Sequence, residues 1–89
     1  MGDPIAAPAD IGARIRSFLS DEVILDDGVN LTDTTPLLSG LVDSTGLMEL
    51  VAFLEDEFGI SLDYGDVDAA NFRTVAAIAE LVGRKVRET

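Results

Sequence analysis

The chain has 89 residues, 47% hydrophobic but only 6% aromatic, enough for one small domain whose core is built mainly from Leu, Val, Ile and Ala. It contains no cysteine and no histidine, which excludes disulfides, thiolate zinc sites, thiol nucleophiles and every arrangement that needs an imidazole base. The formal net charge is −11, and 13 acidic residues but no Lys or Arg lie between Arg16 and Arg73, a distribution that repels nucleic acid and anionic membrane and attracts basic protein surfaces.

Met1 to Pro8, with prolines at positions 4 and 8, reads as a disordered lead-in, leaving residues 9–87 for the domain. Met1-Gly2 opens like a myristoylation signal, but Ala6 stands where that signal needs Ser or Thr. No apolar run approaches the ~20 residues of a membrane span, and the layout of a secretion signal is missing; the expected location is the cytoplasm. Asp10 is expected to cap the first helix. Ile11, Ile15, Phe18 and Leu19 recur at helical spacing, and the helix is expected to end near Glu22 or Val23. Arg14 and Arg16 fall on its polar side, solvated or paired to nearby acids.

From Ile24 to Val42 the period is lost. Asp26-Asp27-Gly28 and Asn30 mark turns, and Thr34-Thr35-Pro36 blocks a regular helix. Leu25, Val29, Leu31, Leu37, Leu38 and Leu41 are nevertheless scattered through the stretch, so the loop must lie across the helices and cover core, with a short helical turn near Pro36-Leu37-Leu38. A loop of this length inside a small domain is uncommon and often functional.

The second helix is expected from Ser44 or Thr45 to Phe58. Leu47, Leu50, Val51, Leu54 and Phe58 make its buried stripe, and Gly59 stops it. Met48 and Ala52 are apolar, four residues apart and off that stripe, in line with Ser44. Phe53 can face either the core or a neighbouring helix. Ile60, Leu62 and Tyr64 alternate through an extended linker; Asp66 is expected to cap a brief helical turn through Asn71, with Phe72 packing inward. Thr74 suits the N-cap of the last helix, with Val75, Ile78, Ala79 and Val82 buried, Leu81 widening the stripe, and Arg84, Lys85 and Arg87 at the end where the helix dipole favours cations. Three main helices plus one short helix, with a long loop after the first, make an all-α four-helix bundle.

Few constellations could carry chemistry. Asp63, Asp66 and Asp68 suggest a calcium loop, yet counting from Asp66 puts Ala77 at position 12 and counting from Asp63 puts Thr74 there, where a bidentate Glu is required; no metal site is expected. Glu55, Asp56 and Glu57 are consecutive and diverge around a helix, a solvated face rather than a catalytic pair. Ser44 remains. Its hydroxyl can accept a backbone N–H as an N-cap, or it can bear a covalent group, because a helix N-terminus is exposed and its positive end favours phosphate.

Asp43-Ser44-Thr45-Gly46-Leu47-Met48-Glu49-Leu50, continuing into Leu54-Glu55-Asp56-Glu57-Phe58-Gly59-Ile60, resembles the attachment region of acyl and peptidyl carrier proteins, whose signature is Asp-Ser-Leu opening an acidic helix. Asp66 to Val75 is similar to that family's short third helix and the start of its last, so the resemblance spans about Asp10 to Val86. It implies an acyl-carrier-like bundle, monomeric and without catalysis of its own. Ser44 would carry a 4′-phosphopantetheine arm through a phosphodiester, added from coenzyme A by a separate phosphopantetheinyl transferase, with Asp43 beside the site assisting that enzyme. The arm's thiol would hold an acyl or aminoacyl group as a thioester. Thr45, Met48, Glu49, Ala52 and Asp56 would form the face read by partners, among them adenylating ligases or synthases with basic docking surfaces. Fatty acyl, polyketide and amino acid cargo all remain open.

The chain departs from the pattern at Thr45, where the family usually has Leu, which bears on the choice of transferase or loading enzyme. Gly46 weakens the first helical turn by ~1 kcal/mol relative to Ala. The free-standing carrier reading competes with a non-covalent acidic adaptor that docks on a basic partner and has no need of Ser44.

Overall fold

The computed structural model describes residues 8–24 and 31–88. Helix α1 runs from Pro8 to Phe18 and continues through a π-helical turn, Leu19–Val23. Helix α2 spans Ser44–Phe58, the short α3 Ala69–Phe72 and α4 Val75–Glu88. The described residues contain no strand, and none of their helices is long and apolar enough to cross a membrane. The four-helix architecture with a long connection after the first helix is the expected one.

The stripes meet as their spacing requires. Ile11, Ile15 and Leu19 from α1, Leu50 and Leu54 from α2, Phe72 from α3, and Val75, Ile78, Leu81 and Val82 from α4 are each at most 1% exposed. Each such burial contributes about 1.5–3 kcal/mol relative to exposure. Helix α1 packs chiefly along α4, and α3 packs against α4.

Several local expectations need correction. The described part of helix α1 already includes Pro8, so Asp10 lies inside the helix and is not its cap. Of the lead-in expected from Met1 to Pro8, Pro8 is instead helical; residues 1–7, the turn at Asp26–Gly28 with Asn30, and the apolar Leu25 and Val29 lie outside the described residues. The end of the first helix falls at Val23 as expected, but as a π turn, with Ile24 N–H donating to the Leu19 carbonyl at 2.6 Å.

The loop covers core through Leu37 and Val42, which are 1% and 6% exposed, with Leu31 and Leu41 partly buried against the core. Leu38 instead faces solvent, and residues 37–42 form a wide turn, not a helix, closed by Val42 N–H on the Leu37 carbonyl at 2.9 Å. Backbone bonds fasten this loop to α4 and its approach. Leu37 N–H donates to the Arg73 carbonyl at 2.8 Å, and the Asp33 carbonyl accepts from Ala76 N–H at 3.0 Å. Arg16 adds an ion pair with the Asp33 side chain. Thr74 caps α4 as expected, its hydroxyl accepting from Ala77 N–H at 3.1 Å.

The cap of α3 is Asp68, not Asp66: the Asp68 carboxylate accepts from Asn71 N–H at 2.8 Å. The alternation after α2 also breaks at Tyr64. Ile60 is buried and Leu62 half-buried, but Tyr64 is fully exposed, because the chain turns there with Asp66 N–H on the Asp63 carbonyl at 3.0 Å.

Candidate functional site

The N-terminus of α2 is set by Asp43, whose extended backbone (φ −91°, ψ −174°) places its carboxylate over the first turn. Oδ1 accepts from Gly46 N–H at 2.8 Å, and the carbonyl accepts from Leu47 N–H at 2.8 Å. The reading in which Ser44 itself is the cap is therefore corrected. Aspartate is as good an N-cap as serine, and the helix starts one residue earlier than a Ser44 cap would allow. Ser44 occupies the first helical position and is exposed. Its hydroxyl stands at the positive end of a 15-residue helix without being needed to hold that end together.

Gly46, which propensity alone counts as a weakness, is buried where α2 abuts the π turn. A Cβ there would sit 2.8 Å from Val23 Cγ1 and 3.4 Å from both Asp43 Oδ1 and Val42 Cγ1. The glycine permits the close approach that seats the serine-bearing turn on the end of α1. At the other end Gly59 takes φ 65°, ψ 36°, the left-handed conformation expected of a helix-stopping glycine.

Thr45, Met48, Glu49, Ala52 and Asp56 are all exposed on α2 with Ser44, and Met48 presents 65% of its surface. The residues expected to form a partner face thus share the solvent side of one helix. The three consecutive acids are less uniform than a solvated face. Asp56 is free to solvent, whereas Glu55 accepts from Leu62 N–H at 2.8 Å and Glu57 pairs with Arg14 at 2.6 Å. Phe53 faces the neighbouring helix, its ring stacked on Phe18 with centroids 4.2 Å apart and planes 12° apart.

One feature beside Met48 is absent from the sequence reading. The linker after α2 folds back so that Leu62, Tyr64 and Val67 face Met48 and Val51 across an open cleft of about 440 Å³. No periodicity in the chain encodes it, because its two walls are brought together only by tertiary contacts. The linker is secured by Glu55 on one side and by Asp66 on the other. Asp66 accepts from Asp63 N–H at 2.9 Å, pairs with Lys85 at 2.7 Å and offers its carbonyl to Asn71 Nδ2 at 3.0 Å. The hydrogen bond from Asp63, and then that from Lys85, hold the Asp66 carboxyl below the usual carboxylate range.

The site fits a covalently attached phosphate ester. A primary hydroxyl is exposed at a helix N-terminus, where unpaired N–H groups and the dipole favour negative charge, and the capping duty lies with its neighbour. Residues 13–82 match the protein family described as "Phosphopantetheine attachment site". The chain is also similar to an acyl carrier protein of Thermotoga maritima, with 29% identity over 83 residues that cover 92% of this chain and 99% of the relative. A probable acyl carrier protein, PigG, of a Serratia species is 29% identical over 73 residues, covering 81% of this chain and 84% of the relative.

Proposed function

The chain belongs to the phosphopantetheine-attachment family, whose cofactor is covalent 4′-phosphopantetheine and whose members are carriers without catalysis, and on that premise we propose that Ser44 is the attachment residue and residues 9–87 the carrier domain. When bound, the arm supplies the thiol on which an acyl or aminoacyl cargo is held as a thioester. The observation that carries this reading is the division of labour at the start of α2. Asp43 satisfies the first-turn N–H of Gly46, and the adjacent Ser44 hydroxyl is exposed. A covalent group on Ser44 therefore leaves the capping hydrogen bond in place.

The rest of α2 serves encounter. Met48 and Ala52 give an apolar centre, Glu49 and Asp56 acidic points and Thr45 a small polar neighbour to Ser44. Partners with basic surfaces, a phosphopantetheinyl transferase and a ligase or synthase of a biosynthetic pathway, dock weakly there and depart. A tethered cargo then reaches each active site at high effective concentration without tight binding of the carrier. This traffic takes place in the cytoplasm.

The test is the intact mass of the purified protein after incubation with coenzyme A and a broad-specificity phosphopantetheinyl transferase, with Ser44→Ala alongside. A gain of one phosphopantetheinyl group in the wild type only is the expected result. Modification of Ser44→Ala places the arm on another residue. No gain with several transferases, while the circular dichroism remains helical, overturns the reading in favour of an unmodified acidic adaptor.

A further inference from the structure

The loop that leads to Ser44 is fastened through one residue that reaches two helices. Asp33, eleven residues before Ser44, accepts from Ala76 N–H of α4 at 3.0 Å through its carbonyl and pairs with Arg16 of α1 through its carboxylate. The chain around it is stiffened locally. Thr35 N–H donates to the Thr32 carbonyl at 3.3 Å, and Thr32 N–H donates to the Thr35 hydroxyl at 2.9 Å. Two buried side chains then carry this placement to α2. Leu37 is tied to the Arg73 carbonyl and closes the turn that ends at Val42. Val42 Cγ1 lies 3.4 Å from the point a Gly46 Cβ would occupy, so the loop ends against the first turn of α2.

We propose that Arg16 and Asp33 are positioning residues for the covalent step at Ser44, an inference that rests on Ser44 being the attachment residue. In that step the Ser44 oxygen bonds to the pantetheine-bearing phosphorus of coenzyme A. The pyrophosphate bridge breaks, adenosine bisphosphate leaves with the bridging electron pair, and the hydroxyl proton passes to a base of the transferase. Such a transfer depends on how closely the hydroxyl is held to the productive geometry, and a small misplacement from a distant change lowers its rate steeply. Asp43 fixes the end of the helix, but the backbone that delivers Asp43 comes from the loop. The described part of that loop has no helix or strand of its own, so its path is set by its ties. The ion pair is exposed, and its direct contribution to stability is small. Its effect is to select one arrangement of the loop from those its backbone bonds allow.

The test is the steady-state kinetics of a broad-specificity phosphopantetheinyl transferase with the full chain and coenzyme A as substrates. Asp33→Arg sets two cations face to face and opens the clasp. It is expected to lower kcat by about tenfold and to leave KM within about twofold, because the exposed row on α2 is untouched. Exchanging the pair, Arg16→Asp with Asp33→Arg, restores the attraction at the wild-type net charge and is expected to bring kcat back to within about twofold. Glu80→Arg makes the same change of charge at an exposed position of α4 and is expected to leave kcat unchanged. In nitrogen-15 spectra without transferase, the Val42 and Gly46 amides are expected to shift in Asp33→Arg and to return in the exchanged pair.

A wild-type kcat in Asp33→Arg, no recovery in the exchanged pair, or an equal loss in Glu80→Arg would each overturn the proposal. So would a loss of kcat with the Val42 and Gly46 amides unmoved. Should Asp33→Arg lose its helical circular dichroism, Arg16→Gln and Arg16→Lys take its place. The glutamine is then expected to lose kcat and the lysine to keep it, and equal rates overturn the proposal. A wild type that takes up no arm overturns the attachment reading and this proposal with it, whereas a modified wild type matched by Asp33→Arg overturns the proposal alone.

Discussion

The two flanks of α2 come from one 15-residue helix and differ in nearly everything else. Toward the linker, Met48 and Val51 look across at Leu62, Tyr64 and Val67, with Asp63 the one acid lining the cleft. Toward α1, a stacked aromatic pair lies among Glu22, Glu49 and Asp56. On the helix that bears Ser44, Glu49 and Asp56 lie with Glu22 on the side toward α1, while the side toward the linker is mainly apolar. A partner that approaches the end of α2 meets attraction over long range from one flank and short-range apolar contact from the other, so the two sides supply different parts of recognition.

The largest way to break this contrast is at Gly46, which lets α2 press against the π turn. Gly46→Ala puts a methyl 2.8 Å from Val23 Cγ1. Overpacking of this kind typically costs about 1–3 kcal/mol, more than the helix propensity gained from alanine. Urea unfolding is expected to show the loss, and adding Val23→Ala is expected to recover part of it. If Gly46→Ala alone raises stability, the close approach of α2 to the end of α1 is wrong, and with it the shape of the acidic flank.

A smaller effect sharpens the assignment at the helix start. Asp43→Ala removes the carboxylate that accepts from Gly46 N–H and is expected to cost ~1 kcal/mol. Ser44→Ala, at the first helical position, is expected to stay within about 0.5 kcal/mol of wild type. The reverse order in thermal melts would return the capping role to the serine.

The smallest effect concerns the apolar flank, whose linker is held by Asp66. That carboxyl is held below the usual carboxylate range by Asp63 N–H and then Lys85, so its stabilising contribution is present above about pH 4, where the unfolded carboxyl is ionised. The contribution is lost as pH falls through the lower folded value. Asp66→Asn is expected to flatten this part of the stability profile in acid, measured by urea unfolding from neutral pH downward; a profile that keeps its slope refutes the role. The effect is small because the ion pair is accessible to solvent.

The sequence was readable where one element decides the outcome by itself. The stripes Ile11-Ile15-Leu19, Leu50-Leu54-Phe58 and Val75-Ile78-Ala79-Val82, the Gly59 stop and the Thr74 cap depend on local spacing and local backbone preference and are found in the structure, whereas Leu47 and Val51, expected on the buried stripe of α2, are only half-buried. Choices between adjacent polar residues were harder. Asp43 and Ser44 can both cap, as can Asp66 and Asp68, and the geometry of the preceding chain selects between them. The π turn, the use of Phe53 on the α1 side and the cleft under Tyr64 were not legible, since each arises when segments distant in sequence meet. Of the site, Ser44 and the exposed row beside it could be read from the chain, whereas the difference between its two flanks could not.

The bond from Ala76 N–H to the Asp33 carbonyl gives the long loop a built-in reporter. An amide in the first turn of a helix has no intrahelical acceptor, and on its own it would exchange with solvent at nearly the rate of an unstructured chain. Here its protection comes from a loop more than forty residues earlier in the chain. The exchange of this single amide therefore times how often the loop lifts from α4, independently of the unfolding of α4 itself, whose later amides exchange on their own slower clock. Compared before and after a group is attached at Ser44, it reads whether events at the start of α2 are felt where the loop meets α4.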